Sequence, residues 1–315
     1  MTNIDRLQPT STTTVKMHNN EVEIDASLVK RLLAGQFQQW AELPLTRIQS
    51  SGTDNAIYLL GEDLAVRMPR IDWATGQAEL EQYWLPKLAP HLPLPIPAPL
   101  AIGVPAEGYP WQWAVYRWFK GADAIVGRID DLGQAAADIA QFVGAMQRID
   151  LGSEVIPPSS SRGMSLTPRD SGVRKAIAEL EGMIDQQAAL SAWEEALGVP
   201  DWQGAGVWIH GDIHAGNVLI ENGRISAVID FGCMGLGDPA CDMLFAWSIL
   251  TDATRPLFRA VLQPDDATWA RGRGYALSMG LFALPYYKDT NPVFASVAKR
   301  IIDEVLTDFK NRNES

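Results

Sequence analysis

Three residues in this chain could carry chemistry together: Asp212, Asn217 and Asp230. Two lie in Trp208-Ile209-His210-Gly211-Asp212-Ile213-His214-Ala215-Gly216-Asn217, and the third in Ile229-Asp230-Phe231-Gly232. The residues between are two short apolar runs around Asn222-Gly223, a pattern that predicts a β-hairpin with a primed turn. Residues equidistant from the turn face each other, so Val218 is expected near residue 227. The open ends of the hairpin then bring Asn217 and Asp230 to one side. An amide oxygen and a carboxylate there suit Mg²⁺, a hard cation that keeps several waters and takes few protein oxygens. Asp212 lies in the loop just before. Phosphoryl transfer needs charge neutralised, reactants in line, and a residue that orients the attacking hydroxyl and accepts its proton. Asp212 is assigned as that base, with Asn217 and Asp230 as metal ligands.

His210 and His214 flank the base. A zinc site is excluded, because His-x₃-His without a glutamate or cysteines lacks a ligand set. His210 is expected to brace the loop by hydrogen bonding. His214 is expected near the γ-phosphate.

His-Gly-Asp-x-His-x-Gly-Asn followed by Ile-Asp-Phe-Gly resembles the aminoglycoside phosphotransferases and their relatives, the macrolide phosphotransferases and choline kinases. The resemblance spans roughly residues 25 to 310. It implies an α+β, bilobal, protein-kinase-like fold: a small N-lobe with an antiparallel sheet and a helix, and a larger, mainly helical C-lobe. The expected division is a tail over 1–20, a nucleotide-binding lobe over 21–118 and a catalytic and substrate-binding lobe over 119–315. The implied donor is ATP or GTP and the implied acceptor a hydroxyl of a small molecule.

Several N-terminal elements must position the donor. A strand at Leu45–Gln49, a small polar loop and a strand at Ala56–Leu60 make a phosphate cover, with Gly52, Thr53 and Asn55 as its candidate contacts. The next strand, Leu64–Pro69, carries Arg67 where a protein kinase has lysine. Arginine keeps the charge and adds a planar fork, and macrolide enzymes of the resembling family also show Arg-x-Pro-Arg here. Its partner should lie on the helix within Trp73–Leu88. Glu81, Leu85 and Leu88 share one helical face and match the Glu-x₃-Leu-x₂-Leu pattern of the resembling family's helix, so the resemblance implies Glu81, with Glu79 as runner-up. After a stretch with eight prolines between Pro86 and Pro110, a strand over Gln112–Phe119 leads into the hinge. Backbone groups around Arg117, Trp118 and Phe119 are expected to meet the base of the nucleotide.

In the C-terminal part, helices are expected over Leu132–Ile149 and Arg174–Leu190, with Trp193–Leu197 following. Glu194 and Glu195 are candidate substrate contacts. Asp238, ahead of Pro239, suits an N-cap; it is also a substrate candidate, though bracing is the stronger expectation for it and for Asp242. The long activation segment of a protein kinase is missing, so no peptide docking platform is expected and the acceptor is a small molecule. Asp265-Asp266 opens a further helix, Leu284–Asp289 forms an aromatic turn, and Asn291-Pro292 caps the last helix.

The composition sets outer limits. The chain has 315 residues, 47% hydrophobic content and eleven tryptophans, which fits a globular protein with a substantial core. No run approaches the ~18 apolar residues of a membrane helix. Two cysteines, Cys233 and Cys241, exclude a disulfide framework and fit a reduced, cytoplasmic setting. A net charge of −12 argues against nucleic acid. Between Lys175 and Arg255 the only basic residue is Arg224, against twelve Asp and Glu. That run motivates a cationic, aminoglycoside-like acceptor.

Overall fold

The computed structural model describes residues 21–48, 54–150, 152 and 161–313. It is a mixed α+β protein of two compact units. One comprises residues up to Pro90 with Ile96–Ala122, and the other His91–Pro95 with Asp123 onward. The expected tail, and Gly52 and Thr53 of the expected phosphate cover, lie outside the described residues.

The first unit begins with helix α1 (Ala26–Gln36), whose first turn is closed by Asp25 accepting from the Leu28 N–H at 2.7 Å. Five strands follow: β1 (Leu45–Ile48), β2 (Asn55–Leu60), β3 (Leu64–Pro69), β4 (Pro99–Gly103) and β5 (Trp113–Arg117), with helix α2 (Gln77–Leu88) between β3 and β4. They form one antiparallel sheet in the order β1-β2-β3-β5-β4. Side chains alternate across a strand, and that periodicity divides β3. Val66 and Met68 join Ala56, Tyr58, Leu60, Trp113 and Val115 in the core on the α1 side. Ala65 packs with Ala114 and Tyr116 in a second cluster that Ala78 of α2 touches. Arg67 shares the Ala65 side of β3, which turns it toward α2.

The second unit contains a short strand β6 (Ala122–Asp123, shared with the first unit's end), helices α3 (Leu132–Gln147), α4 (Asp170–Glu179) and α5 (Gln186–Gly198), and strands β7 (Val207–Ile209), β8 (Val218–Glu221), β9 (Arg224–Val228) and β10 (Gly235–Gly237). Helices α6 (Phe245–Ser248), α7 (Arg255–Leu262), α8 (Asp266–Tyr287) and α9 (Pro292–Asn313) complete it. Its core gathers Phe245, Trp247, Phe258 and Trp269 against the long helix α8.

Three expectations need correction here. The helix expected over Arg174–Leu190 is two helices: α4 ends at Glu179, and Asp185 starts α5 by accepting from the Ala188 N–H at 3.0 Å. Gly182, at φ 75°, takes the left-handed backbone that turns the chain between them. The aromatic turn expected at Leu284–Asp289 is instead the last turn of α8, which tolerates Pro285 near its end. The helix that Asp238 was expected to cap begins as a 3₁₀ segment, Pro239–Leu244, running into the short α6.

Candidate active site

In the first unit, Arg67 Nη1 donates to Glu81 Oε1 at 2.7 Å and Nη2 donates to Gln77 Oε1 at 3.0 Å. Glu81 is 1% exposed, as are its helical neighbours Leu85 and Leu88 at 0%, whereas Glu79 is exposed. The pairing therefore falls on Glu81. Tyr116 of β5 donates its hydroxyl to the other Glu81 oxygen at 2.5 Å. Burial and the adjacent Glu81 push the Tyr116 phenol well above its ordinary value, so it remains a donor. Asn55 opens β2 opposite Pro69. With its amide oxygen turned inward it accepts from Arg67 Nε and Nη2 at 3.2 Å, so it too bears on Arg67. The hinge differs in one respect from expectation. The Trp118 N–H is not free but donates to the Asp63 carbonyl at 2.7 Å, bonding the chain just beyond β5 to the turn before β3. Arg117 is exposed and Phe119 half-buried.

In the second unit, β7 delivers the chain into the loop that holds His210, Asp212 and His214. The hairpin of β8 and β9 follows, turned by Asn222 and Gly223 at φ 51° and 76°. Its register differs from expectation by one residue. Ile220 faces Ile225 but Leu219 faces Ala227, so Ser226 is bulged and Val218 meets Val228. The open end still closes as expected, because the Ile229 N–H donates to the Asn217 carbonyl at 2.9 Å. Asp230 follows directly, in left-handed backbone at φ 66° that a side-chain-bearing residue seldom adopts. Then β10 runs antiparallel to β7, with Gly235 opposite Ile209. The segment after Phe231-Gly232 thus returns at once alongside the strand that feeds the loop.

Within the loop the polar groups near Asp212 bond to one another, although Asp212 Oδ1 is buried and accepts no hydrogen bond. His210 Nδ1 accepts the Asp212 N–H at 3.2 Å, which places the ring proton on Nε2, 3.0 Å from the Ile229 carbonyl. His210 therefore ties the loop that carries Asp212 to the residue before Asp230. His214 Nδ1 accepts the Gly216 N–H at 3.0 Å, and its Nε2 faces Asp212 Oδ2 at 3.5 Å. The ring expected near a γ-phosphate is thus committed to the loop itself. Asn217 Nδ2 donates to the Asp212 carbonyl at 3.0 Å and lies 3.4 Å from Asp212 Oδ2. The amide nitrogen, not its oxygen, is thus the atom turned to Asp212.

Asp242, expected as a brace, and Arg162, which no sequence pattern marked, also act on this loop. Asp242 accepts the backbone N–H groups of His210 at 2.8 Å and Gly211 at 2.7 Å, and is fully buried. Burial raises its carboxyl above the usual range, against the opposing pull of His210 and those two N–H groups. The second residue is Arg162, whose Nη1 stands 3.3 Å from Asp212 Oδ1. Burial alone would raise the Asp212 carboxyl, but Arg162, followed by His214 and His210, holds it well below the usual carboxylate range. Asp242 is the brace expected from its place after Asp238-Pro239. Arg162 sits in a polar loop with no local signal.

The candidate substrate contacts are matched by arginines. Glu194 pairs with Arg174 at 3.1 Å, and Glu195 with Arg273 at 3.0 Å and also with Arg312. Asp238 caps Pro239–Leu244 through the Ala240 N–H and takes Arg271 on both oxygens, at 2.6 and 3.3 Å. Asp185 and Asp252 are likewise paired, with Lys310 and Arg255. Five acids of the run between Lys175 and Arg255 are thus paired with bases from outside it, so the run in chain order overstates the free negative charge there.

Asn217 and Asp230 fit a hard cation. One has an amide oxygen that is not the atom turned to Asp212 and the other an exposed carboxylate, and the Ile229–Asn217 backbone bond holds their chain segments together. Among the described residues no cluster of three or more His, Cys, Asp or Glu forms a metal cage. Neither Cys233 nor Cys241 is in a disulfide.

A family model described as the phosphotransferase enzyme family matches residues 45–275. The chain belongs to that family. It is a small-molecule kinase, and its solved structural neighbours share the kinase-like fold. A GDP complex of a mutant aminoglycoside 2'-phosphotransferase-IIIa superposes with a TM-score of 0.68 at 18% identity, covering 92% of this chain and 99% of that one. The apoenzyme of macrolide 2'-phosphotransferase MphH from Brachybacterium faecium gives 0.57 at 22% identity, over 86% and 98%. The streptomycin–ATP ternary complex of APH(2'')-IIa gives 0.56 at 19%, over 91% and 97%. No curated protein matches the chain. Among the described residues, no helix is long and apolar enough to cross a membrane.

Proposed function

We propose that the protein transfers the γ-phosphate of ATP or GTP to a hydroxyl of a small molecule, with Asp212 as the base. The observation that carries this is the convergence around Asn217. Its amide nitrogen holds Asp212, and its carbonyl holds the chain immediately before Asp230. The hydroxyl oxygen attacks the γ-phosphorus, the bond to the β–γ bridging oxygen breaks, and the nucleoside diphosphate leaves. The hydroxyl proton passes to the Asp212 carboxylate. A carboxylate held so acidic takes that proton late, so its larger contribution is to orient the hydroxyl in line. Asn217 and Asp230 would hold Mg²⁺, which neutralises charge on the phosphate oxygens. In the first unit, Arg67, fixed by Glu81, Gln77 and Asn55, would bind the donor's phosphates.

For the acceptor, the solved relatives include complexes with streptomycin, gentamicin and kanamycin, and a macrolide enzyme. We extend to this chain a hydroxyl of an aminoglycoside-like, cationic acceptor, with a macrolide hydroxyl as the alternative. The test is Mg²⁺-dependent phosphate transfer from ATP and GTP to kanamycin, gentamicin, erythromycin, choline and simple sugars. Transfer to at least one acceptor, abolished in Asp212→Ala, is expected. Full transfer by Asp212→Ala would sink the assignment of the base, and no nucleotide turnover under any condition would leave a nucleotide-binding module.

A further inference from the structure

We propose that Arg162 is a positioning residue for Asp212, holding one carboxylate oxygen so that the other stays on the Asn217 side. This rests on the assignment of Asp212 as the base. The two oxygens are divided between partners. Oδ1 meets Arg162 Nη1 at 3.3 Å, whereas Oδ2 faces Asn217 Nδ2 at 3.4 Å and His214 Nε2 at 3.5 Å. Asn217 and His214 belong to the loop itself and move with it. Arg162 does not, because it comes from the segment before α4, fifty residues earlier in the chain.

That segment is itself anchored. The Arg162 carbonyl accepts from Arg169 Nη2 at 3.1 Å and from the Cys241 thiol at 3.4 Å. The Gly163 carbonyl accepts the Asp238 N–H at 3.0 Å. Gly163 lies so close to Gly237 of β10 that a Cβ at Gly237 would come within 2.8 Å of the Gly163 Cα. The guanidinium is therefore aimed at Asp212 from a fixed backbone, and its side chain is only 33% exposed. A planar, permanently charged fork on a short, pinned tether suits the holding of a carboxylate oxygen better than a flexible ammonium does.

The experiment compares wild type, Arg162→Ala, Arg162→Lys and Asp212→Ala in MgATP and MgGTP turnover, read as phosphate release with water as acceptor. Arg162→Ala is expected to lower kcat by roughly 10- to 100-fold, the size of effect that misplacing a reacting group produces. The nucleotide KM should stay within about twofold, since the change acts on orientation rather than donor binding. Added guanidinium should restore part of the rate where sodium at equal ionic strength does not, and lysine should retain an intermediate rate. Crystal structures should show the Asp212 carboxylate swung off Asn217 in Arg162→Ala. An unchanged kcat overturns the proposal, and so does an unmoved Asp212 side chain. A joint fall of kcat and thermal midpoint without guanidinium rescue also overturns it, because that marks a merely structural pair. Asp212→Ala separates the two ideas. Full turnover there removes the base and the proposal together, whereas loss there with full turnover in Arg162→Ala removes the proposal alone.

Discussion

Asp242 accepts the Gly211 N–H at 2.7 Å from a position thirty-one residues further along the chain. Its other oxygen takes the His210 N–H. A buried carboxylate thus supplies the hydrogen bonds that two consecutive loop amides would otherwise lack. Asp242→Ala should leave both donors unsatisfied and cost on the order of 2–4 kcal/mol. Asp242→Asn keeps only one acceptor oxygen and should cost less. Urea unfolding followed by intrinsic tryptophan fluorescence measures both. Turnover should fall in each variant even where the protein remains folded, because Asp212 is the next residue after Gly211.

Gly211 itself permits no side chain. It has φ 84°, and a Cβ there would sit 2.7 Å from the Cys233 carbonyl oxygen. Gly211→Ala combines left-handed strain with a clash against backbone, so roughly 2 kcal/mol or more of destabilisation is expected. A thermal midpoint equal to that of the wild type would show that the loop and the Cys233 segment can part freely.

Much of the site was legible because its spacing is local. Asn222-Gly223 announces the hairpin, and the hairpin alone carries Asn217 to Ile229 whatever the remainder of the chain does. The bulge at Ser226 shifts the register without opening that end, which is why a one-residue error left the site intact. Arg67 and Glu81 were legible through the resemblance, which places a cation on this strand and a glutamate on the next helix, and helical spacing put Glu81 on the face of Leu85 and Leu88. What could not be read was pairing across sequence distance. Arg162 reaches Asp212, Arg271 reaches Asp238, and Arg273 reaches Glu195. A run of acids in chain order looked like a field, yet the folded chain brings its bases from elsewhere. The break between α4 and α5 was also hidden, because Val173, Ile177 and Leu180 continue a helical spacing into the turn.

Arg67 and Glu81 should affect the donor and not the transfer step. Arg67→Lys keeps a charge but cannot bond Glu81, Gln77 and Asn55 together. Its nucleotide KM should rise about tenfold while kcat changes little, as expected for lost uniform binding. Glu81→Gln leaves Arg67 without its buried counter-charge and should raise KM similarly. A fall in kcat with unchanged KM in either variant would place Arg67 away from the donor.

Asn217 has two duties, and one substitution should remove both. Its amide nitrogen holds Asp212 at 3.0 Å through the backbone carbonyl, while its oxygen is proposed to face Mg²⁺. Asn217→Ala should therefore raise the Mg²⁺ concentration needed for half-maximal turnover and lower the maximum by about 100-fold or more. Titration of activity with MgCl₂ after chelator treatment separates the two effects. An unchanged Mg²⁺ requirement would remove Asn217 from the ligand set and leave only its hold on Asp212.

Helix α8 offers a pH-dependent test away from the chemistry. Asp265 caps it, accepting the Thr268 N–H at 2.6 Å. That N–H, and then the Thr268 hydroxyl, hold the Asp265 carboxyl below its ordinary value. A group whose acidity is strengthened by folding contributes stability above its unfolded pKa, near 3.9, and loses that contribution as pH falls through the lower folded value. The gain is thus present at neutral pH and fades in acid. Asp265→Ala should cost about 1 kcal/mol at pH 7, the usual worth of an aspartate N-cap. The difference between variant and wild type should shrink steadily below about pH 4. Thermal unfolding of both proteins from pH 7 down to the acid limit of folding measures it. A difference that stays constant or grows in acid would mean that the carboxylate's bond to Thr268 is not what stabilises the start of α8.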